Sequence, residues 1–186
     1  MVERPARLPA LPASVIGADG VTLSPAPDGA RFVFRGPEGA AQAADEAWGT
    51  PLSRVACRAT MAMGRAALWL GPDEWLLLAP GEEPETVAAQ LAARLPGIGH
   101  ALVDVSHRQT ALILSGVLAE TVLAGGNPLD LDIGAFPVGM CTRTLLGKSE
   151  IVLWRTGRET FHIEVWRSFA PYVCEFLREH MREFGG

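Results

Sequence analysis

The sequence has no lysine- or arginine-rich run, and its 21 acidic against 16 basic residues leave a net charge of −5. The electrostatic footprint of a nucleic-acid-binding protein is therefore missing. Long hydrophobic runs are missing too. The longest candidates are short stretches such as 75–79, far below the ~20 apolar residues a membrane helix needs, so the chain is read as soluble. At the N-terminus, Pro5, Pro9 and Pro12 interrupt any apolar core of a secretion signal, and the segment reads as an extended arm. Cysteine is scarce: Cys57, Cys141 and Cys174 are odd in number, widely spaced and without CxxC spacing. That argues against a disulfide framework and a zinc knuckle, and fits reduced, structural thiols in a cytoplasmic protein. There is no HExxH pair for a metal, no glycine-flanked serine of the nucleophile-elbow type, and no repeat at a period of 20–50 residues.

What is present is a chain of 186 residues with 48% hydrophobic composition, enough for a substantial core in one domain. A mean hydropathy of +0.18 without a spanning segment suggests that some apolar surface is covered by another chain. Glycine and proline divide the sequence into short units. Residues 1–50 read as an N-terminal extension with one strand at 31–35, where polar and apolar residues alternate; 36–51, rich in Gly, Ala and Pro, read as mostly loop. Residues 51–186 read as an α+β domain. Within it, 66–70 and 74–79 flank Gly71-Pro72-Asp73 as a β-hairpin. Residues 82–95 form an amphipathic helix, with acids at its start, Val87, Leu91 and Leu95 on one face, and Pro96-Gly97 beyond its end. Strands are expected at 101–105 and 109–115, a short helix at 116–124 stopped by Gly125-Gly126, and three strands at 141–146, 150–155 and 160–166. A final helix spans 168–184, with Ser168 as N-cap and an apolar stripe of Tyr172, Val173, Phe176, Leu177 and Met181. The fold class is α+β, built on mainly antiparallel sheets with packed helices.

Several local patterns invite a chemical reading. Residues 142–149 match the second half of a phosphate-binding loop, with threonine where the first glycine belongs. A phosphate loop must lead into a helix, whereas 150–155 continues as a strand, so a hairpin turn at Gly147-Lys148 is the better reading. Asp104, Ser106 and His107 are the residue types of a hydrolase triad, but on one strand His107 points away from the other two. His162 and Glu164 share a face of the last strand and have the chemistry for acid-base work. With no third polar group spaced to orient the histidine, they read as the wetter face of a sheet or part of a subunit contact. His100 and His180 have no paired spacing. Of the five tryptophans, Trp69 and Trp75 bracket the hairpin turn and Trp48 lies in the Gly/Ala-rich stretch. Trp154 and Trp166 end strands beside Arg155 and Arg167, and a repeated Trp-Arg doublet suits a protein interface.

Taken together, WLGPDEWLLL at 69–78, DVSHRQTA at 104–111, PLDL at 128–131, AFPVG at 135–139, CTRTLLGK at 141–148 and VWRSFA at 165–170 resemble the gamma subunits of heterotetrameric sarcosine oxidases. The resemblance covers residue 52 to the C-terminus, in order. It implies a fold similar to part of the folate-dependent aminomethyltransferases. It also implies a place in a complex with alpha, beta and delta subunits that oxidatively demethylates sarcosine to glycine, forms hydrogen peroxide and passes the one-carbon unit to tetrahydrofolate. FAD, FMN, NAD, zinc and tetrahydrofolate are then expected on the partners. This chain is expected to contribute no catalytic, cofactor-binding or metal-binding residue, and to offer Arg108, Trp154, Arg155, Trp166 and Arg167 to interfaces. Asn127 stands where many relatives have cysteine; it is expected to tolerate the same left-handed turn. The alternative is a stand-alone folate-binding protein of the aminomethyltransferase-like fold. Asp104, Asp130 and Glu164 are its candidate carboxylates for the pterin ring.

Overall fold

The structure, a computed structural model, describes residues 16–184. Of the N-terminal arm expected at residues 1–18, residues 1–15 lie outside them. In chain order the elements are β1 (Ile16–Ala18), β2 (Val21–Pro25), β3 (Gly29–Arg35), α1 (Glu38–Trp48), β4 (Ala59–Ala62), β5 (Arg65–Gly71), β6 (Glu74–Pro80) and α2 (Pro84–Arg94). They continue with β7 (Ala101–Asp104), β8 (Gln109–Ser115), α3 (Ala119–Ala124), β9 (Cys141–Leu146), β10 (Ser149–Gly157), β11 (Thr160–Trp166) and α4 (Ala170–Arg182). The strands form a six-stranded sheet, β1-β2-β8-β11-β10-β9, and a five-stranded sheet, β4-β5-β6-β3-β7. All pairings among the described residues are antiparallel. The α+β class read from the sequence is the one observed.

Alternation along the strands sends side chains to two faces and creates three apolar layers. Phe161, Ile163 and Val165 of β11 pack with Val173 and Leu177 of α4 and Val122 of α3 on the outer face of the six-stranded sheet. Phe32 and Phe34 of β3 pack with α1 and α2 on the outer face of the other sheet. The inner faces meet in a thinner seam of Leu68, Leu76, Leu78, Val105, Cys141, Val152 and Trp154. At one edge the sheets are tied by a bridge between Arg58 and Met140.

Two expectations for the N-terminal fifty residues fail. Residues 16–50 contribute three strands where one was expected, with β2 between β1 and β8 and β3 between β6 and β7. The stretch read as loop holds the helix α1, whose Ala40, Ala41 and Ala44 are fully buried. Small side chains here do not weaken packing. They are strong helix formers that bring the helix backbone close to the sheet, and Gly49, at φ 82°, closes the helix in the left-handed region. Trp48 is thus buried at a helix end, its indole N–H donating to the Ala66 carbonyl at 3.2 Å.

The remaining elements follow the sequence reading, except that β4, paired with β5, has no counterpart in it and two helix ends differ. Gly71 and Glu74 close the β5–β6 hairpin, and Leu146 pairs with Ser149 across Gly147-Lys148, so the phosphate-loop-like segment is strand, turn, strand. Ser168 does not cap α4. Phe169 occupies the N-cap position without a side-chain hydrogen bond, and Pro171, which has no N–H to satisfy, fills the first turn. Gly125 ends α3 in the right-handed region rather than the left. Among the described residues no helix is long and apolar enough to cross a membrane.

Candidate functional site

The seam between the sheets collects the polar chemistry. On β11, His162 and Glu164 face inward, because Phe161, Ile163 and Val165 take the outer face. On β3 the same period-two logic turns Arg31 inward while Phe32 and Phe34 go outward. Arg31 Nε donates to both carboxylate oxygens of Glu164 at 3.1 and 3.0 Å, and Nη1 donates to the Gly29 carbonyl at 3.3 Å. His162 Nε2 lies 2.8 Å from Glu164 Oε1. The side chains of Arg31 and Glu164 are 4% and 0% exposed, so this is a buried ion pair with a histidine at its edge. Burial alone would push the Glu164 carboxyl up. The Arg31 guanidinium and the His162 contact outweigh it and hold the group below its ordinary value of 4.5.

The wet-face reading of His162 and Glu164 is therefore corrected. The third polar group exists, but it is Arg31, 133 residues away from Glu164 and on the other sheet. The alternation at 31–35 signals that Arg31 and Phe32 take opposite faces, yet nothing local says which strand will stand across from it.

Beside this ion pair lies a cavity of about 100 Å³. Arg31, Glu164, His162 and Trp154 line it together with apolar residues including Ala66 and Leu78. At the opposite end of the seam lies a larger groove of about 440 Å³, where Arg108 and Trp166 stand among Val103, Leu76 and Val152. The Arg108 guanidinium sits over the Trp166 ring, 5.2 Å from its centroid.

The five residues nominated for interfaces divide. Arg108 and Trp166 are exposed and Arg167 is half-buried. Trp154 is instead packed into the seam, tilted against His162 with ring centroids 5.8 Å apart. Arg155 is committed within the chain: Nη1 donates to the carbonyls of Leu131 (2.7 Å) and Phe136 (3.0 Å), and Nη2 reaches Glu120 at 3.0 Å. That set of bonds ties the loop after α3 onto β10, which accounts for an arginine beside a tryptophan without a partner chain.

The residues of the hydrolase-like cluster also have structural duties. Asp104 Oδ1 accepts the Ser106 N–H at 2.8 Å, and the buried Ser106 Oγ accepts the Arg31 N–H at 2.8 Å, just beyond the last β3–β7 pair, Phe32 with Asp104. His107 is exposed. Asn127 does not take a left-handed backbone. Its side chain holds the turn, Oδ1 accepting the Leu129 N–H at 3.0 Å and Nδ2 donating to the Leu145 carbonyl at 2.9 Å. Burial pushes the Cys141 thiol up to about 12, which keeps it protonated and inert. Among the described residues no group of His, Cys, Asp and Glu is placed to hold a metal ion.

Comparison with known proteins agrees with this architecture. The sequence is 39% identical over 140 residues to sarcosine oxidase subunit gamma of Corynebacterium sp. (strain P-1), covering 75% of this chain and 68% of that protein. It is 37% identical over 123 residues to the subunit of the same name from Arthrobacter sp., covering 66% of this chain and 60% of the relative. The fold superposes on a chain of the heterotetrameric sarcosine oxidase from Corynebacterium sp. U-96, solved in complex with pyrrole 2-carboxylate, with TM-score 0.85 and 30% identity over 94% of this chain and 90% of that one. A more distant likeness, to the glycine cleavage system aminomethyltransferase T from Bartonella henselae, has TM-score 0.60 at 16% identity. It covers 80% of this chain and 42% of the other, and so shows a shared fold. Residues 36–183 match the family described as "Sarcosine oxidase, gamma subunit family". With the match spanning most of the chain, and the two-sheet fold superposing on a solved heterotetrameric sarcosine oxidase, the chain belongs to the sarcosine oxidase gamma subunit family.

Proposed function

We propose that the chain is the non-catalytic gamma subunit of a heterotetrameric sarcosine oxidase. It assembles with alpha, beta and delta subunits and stabilises a complex that demethylates sarcosine to glycine, forms hydrogen peroxide and hands the one-carbon unit to tetrahydrofolate. FAD, FMN, NAD, zinc and folate are held by the partners in this reading. The observation that carries it is the family match over residues 36–183, reinforced by the superposition on a solved heterotetrameric enzyme. The chemistry of the seam supports a structural role. Glu164 is neutralised by Arg31 and hydrogen-bonded to His162, so its carboxylate is already spent inside the fold. The surface candidates Arg108, Trp166 and Arg167 remain the proposed contacts with partner chains.

The test is affinity capture of the tagged chain from cells expressing all four subunits, with an absorbance spectrum of what co-purifies. A yellow complex containing three further chains is expected. A solitary chain that turns over sarcosine unaided overturns the reading.

A further inference from the structure

The groove that holds Arg108 and Trp166 contains a cation without its anion. Among the described residues four arginines lie over aromatic rings: Arg54 over Trp75, Arg65 over Trp48, Arg155 over Phe161 and Arg108 over Trp166. The first three are also bonded to carboxylates: Arg54 to Glu38 and Asp45, Arg65 to Glu82, and Arg155 to Glu120. A ring occupies the face of a guanidinium and leaves its edge free, and the N–H donors along that edge match the two oxygens of a carboxylate. Arg108 has the ring, but among the described residues its guanidinium has neither a carboxylate nor a carbonyl. The acids that share the groove do not supply one. Glu74 is engaged by Arg143, and Glu150 forms no ion pair with Arg108.

The arginine is nonetheless held in place. Its backbone N–H donates to the Val105 carbonyl at 3.0 Å, and its own carbonyl accepts the Arg167 N–H at 2.8 Å. Trp166 ends β11 and is braced by Phe169, with ring centroids 6.4 Å apart. Fixing an arginine before its partner arrives lowers the side-chain entropy lost on binding. The surface around it is apolar: Val103 is 52% exposed, Trp166 42% and Phe169 45%. A small free anion uses the cation and leaves these apolar groups in water. A protein surface uses both, since arginine and aromatic rings are the residues that dominate interface energetics.

We infer that Arg108 receives an aspartate or glutamate carboxylate of a partner subunit, and that an aliphatic side chain beside that acid covers Val103 and Trp166. The carboxylate takes the free edge of the guanidinium, as Glu82 and Glu120 do for Arg65 and Arg155. The inference rests on the subunit reading above and adds the chemistry of one contact.

The experiment uses the co-expressed subunits. Arg108→Gln removes the charge and Arg108→Glu reverses it; affinity for the partner chains and the melt of the free chain are measured for both. Arg108→Gln is expected to weaken partner binding about tenfold, as for one charge-assisted hydrogen bond lost, and Arg108→Glu to weaken it further. Both free chains are expected to melt like wild type, because the exposed side chain has no ion pair within the chain to lose. In parallel, the complex carrying Arg108→Lys is treated with a carbodiimide, which joins an amine to a carboxylate within reach as an amide. The expected product links position 108 to an aspartate or glutamate of a partner, and peptide masses separate it from products of Lys148, the chain's own lysine. Should Arg108→Glu fail to fold, Arg108→Gln and the crosslink decide. If wild type captures no partner, the subunit reading itself fails. If wild type assembles and Arg108→Gln assembles equally well, or if position 108 is joined to no acid of a partner, the carboxylate inference alone is overturned. Self-association of the free chain that Arg108→Gln abolishes would overturn it too, making the groove a contact between copies.

Discussion

Glu164 is where residue-level physics is sharpest, because desolvation and pairing oppose each other and pairing wins. Its folded pKa lies below the unfolded 4.5, so its contribution to stability is fully present above that value and is lost as pH falls below it. Acid titration followed by circular dichroism should show the wild-type chain losing stability below about pH 4.5. Glu164→Gln, which lacks the titrating group, should lose that part of the pH dependence. At neutral pH, removing one partner strands the other as a buried charge. Arg31→Met should therefore cost about 3–5 kcal/mol in urea unfolding, and replacing both partners by apolar residues should cost much less than the sum of the single changes. Cys141 gives a second test. With its thiol pushed up to about 12 by burial, it should resist a thiol reagent at pH 8 in the native chain and react once the chain is unfolded. Of these roles, a reduced, structural Cys141 was legible in the cysteine count and spacing. The Arg31–Glu164 pair was not, because the two residues are far apart in sequence and meet only when two sheets stack.

Among the elements, α1 shows how the same composition supports opposite readings. Alanine and glycine at 36–51 look too small to pack when the sequence is read for bulk. In the fold their smallness is what lets the helix lie against Phe32 and Phe34. Enlarging one contact should therefore harm the fold: Ala41→Leu is expected to destabilise by about 1–3 kcal/mol through overpacking, measured by thermal or urea melts. Where the local pattern and the packing agree, as in α2 with buried Val87 and Leu91 or in the β9–β10 hairpin, the sequence reading placed the elements to within a few residues. The start of α4 was misjudged for a related reason. Ser168 has the chemistry of a cap, but the proline at 171 and the turn from Trp166 to Phe169 set the first helical residue one step later.

For the whole molecule, the prediction that separates a structural subunit from a folate-binding protein is calorimetric. Each carboxylate proposed for a pterin already accepts a hydrogen bond within the chain: Glu164 from Arg31, Asp104 from the Ser106 N–H and Asp130 from the Asp132 N–H. Titration of the isolated chain with a reduced folate should give no saturable heat; a saturable isotherm would restore the folate reading. In the assembled complex, Trp166→Ala should weaken partner capture while leaving the melt of the free chain nearly unchanged, since the ring is exposed and its contact with Arg108 is at the surface. The sequence by itself determined the fold class, most element positions and the family, because hydrophobic periodicity and turn chemistry act over a few residues and motifs recur in order. Only the tertiary structure decided that α1 is a helix, that Arg155 serves the interior, and that Arg31, Glu164, His162 and Trp154 share one seam. A period of two tells which side chains share a face of a strand, but which face meets which is set by how the sheets and helices bury their apolar sides together.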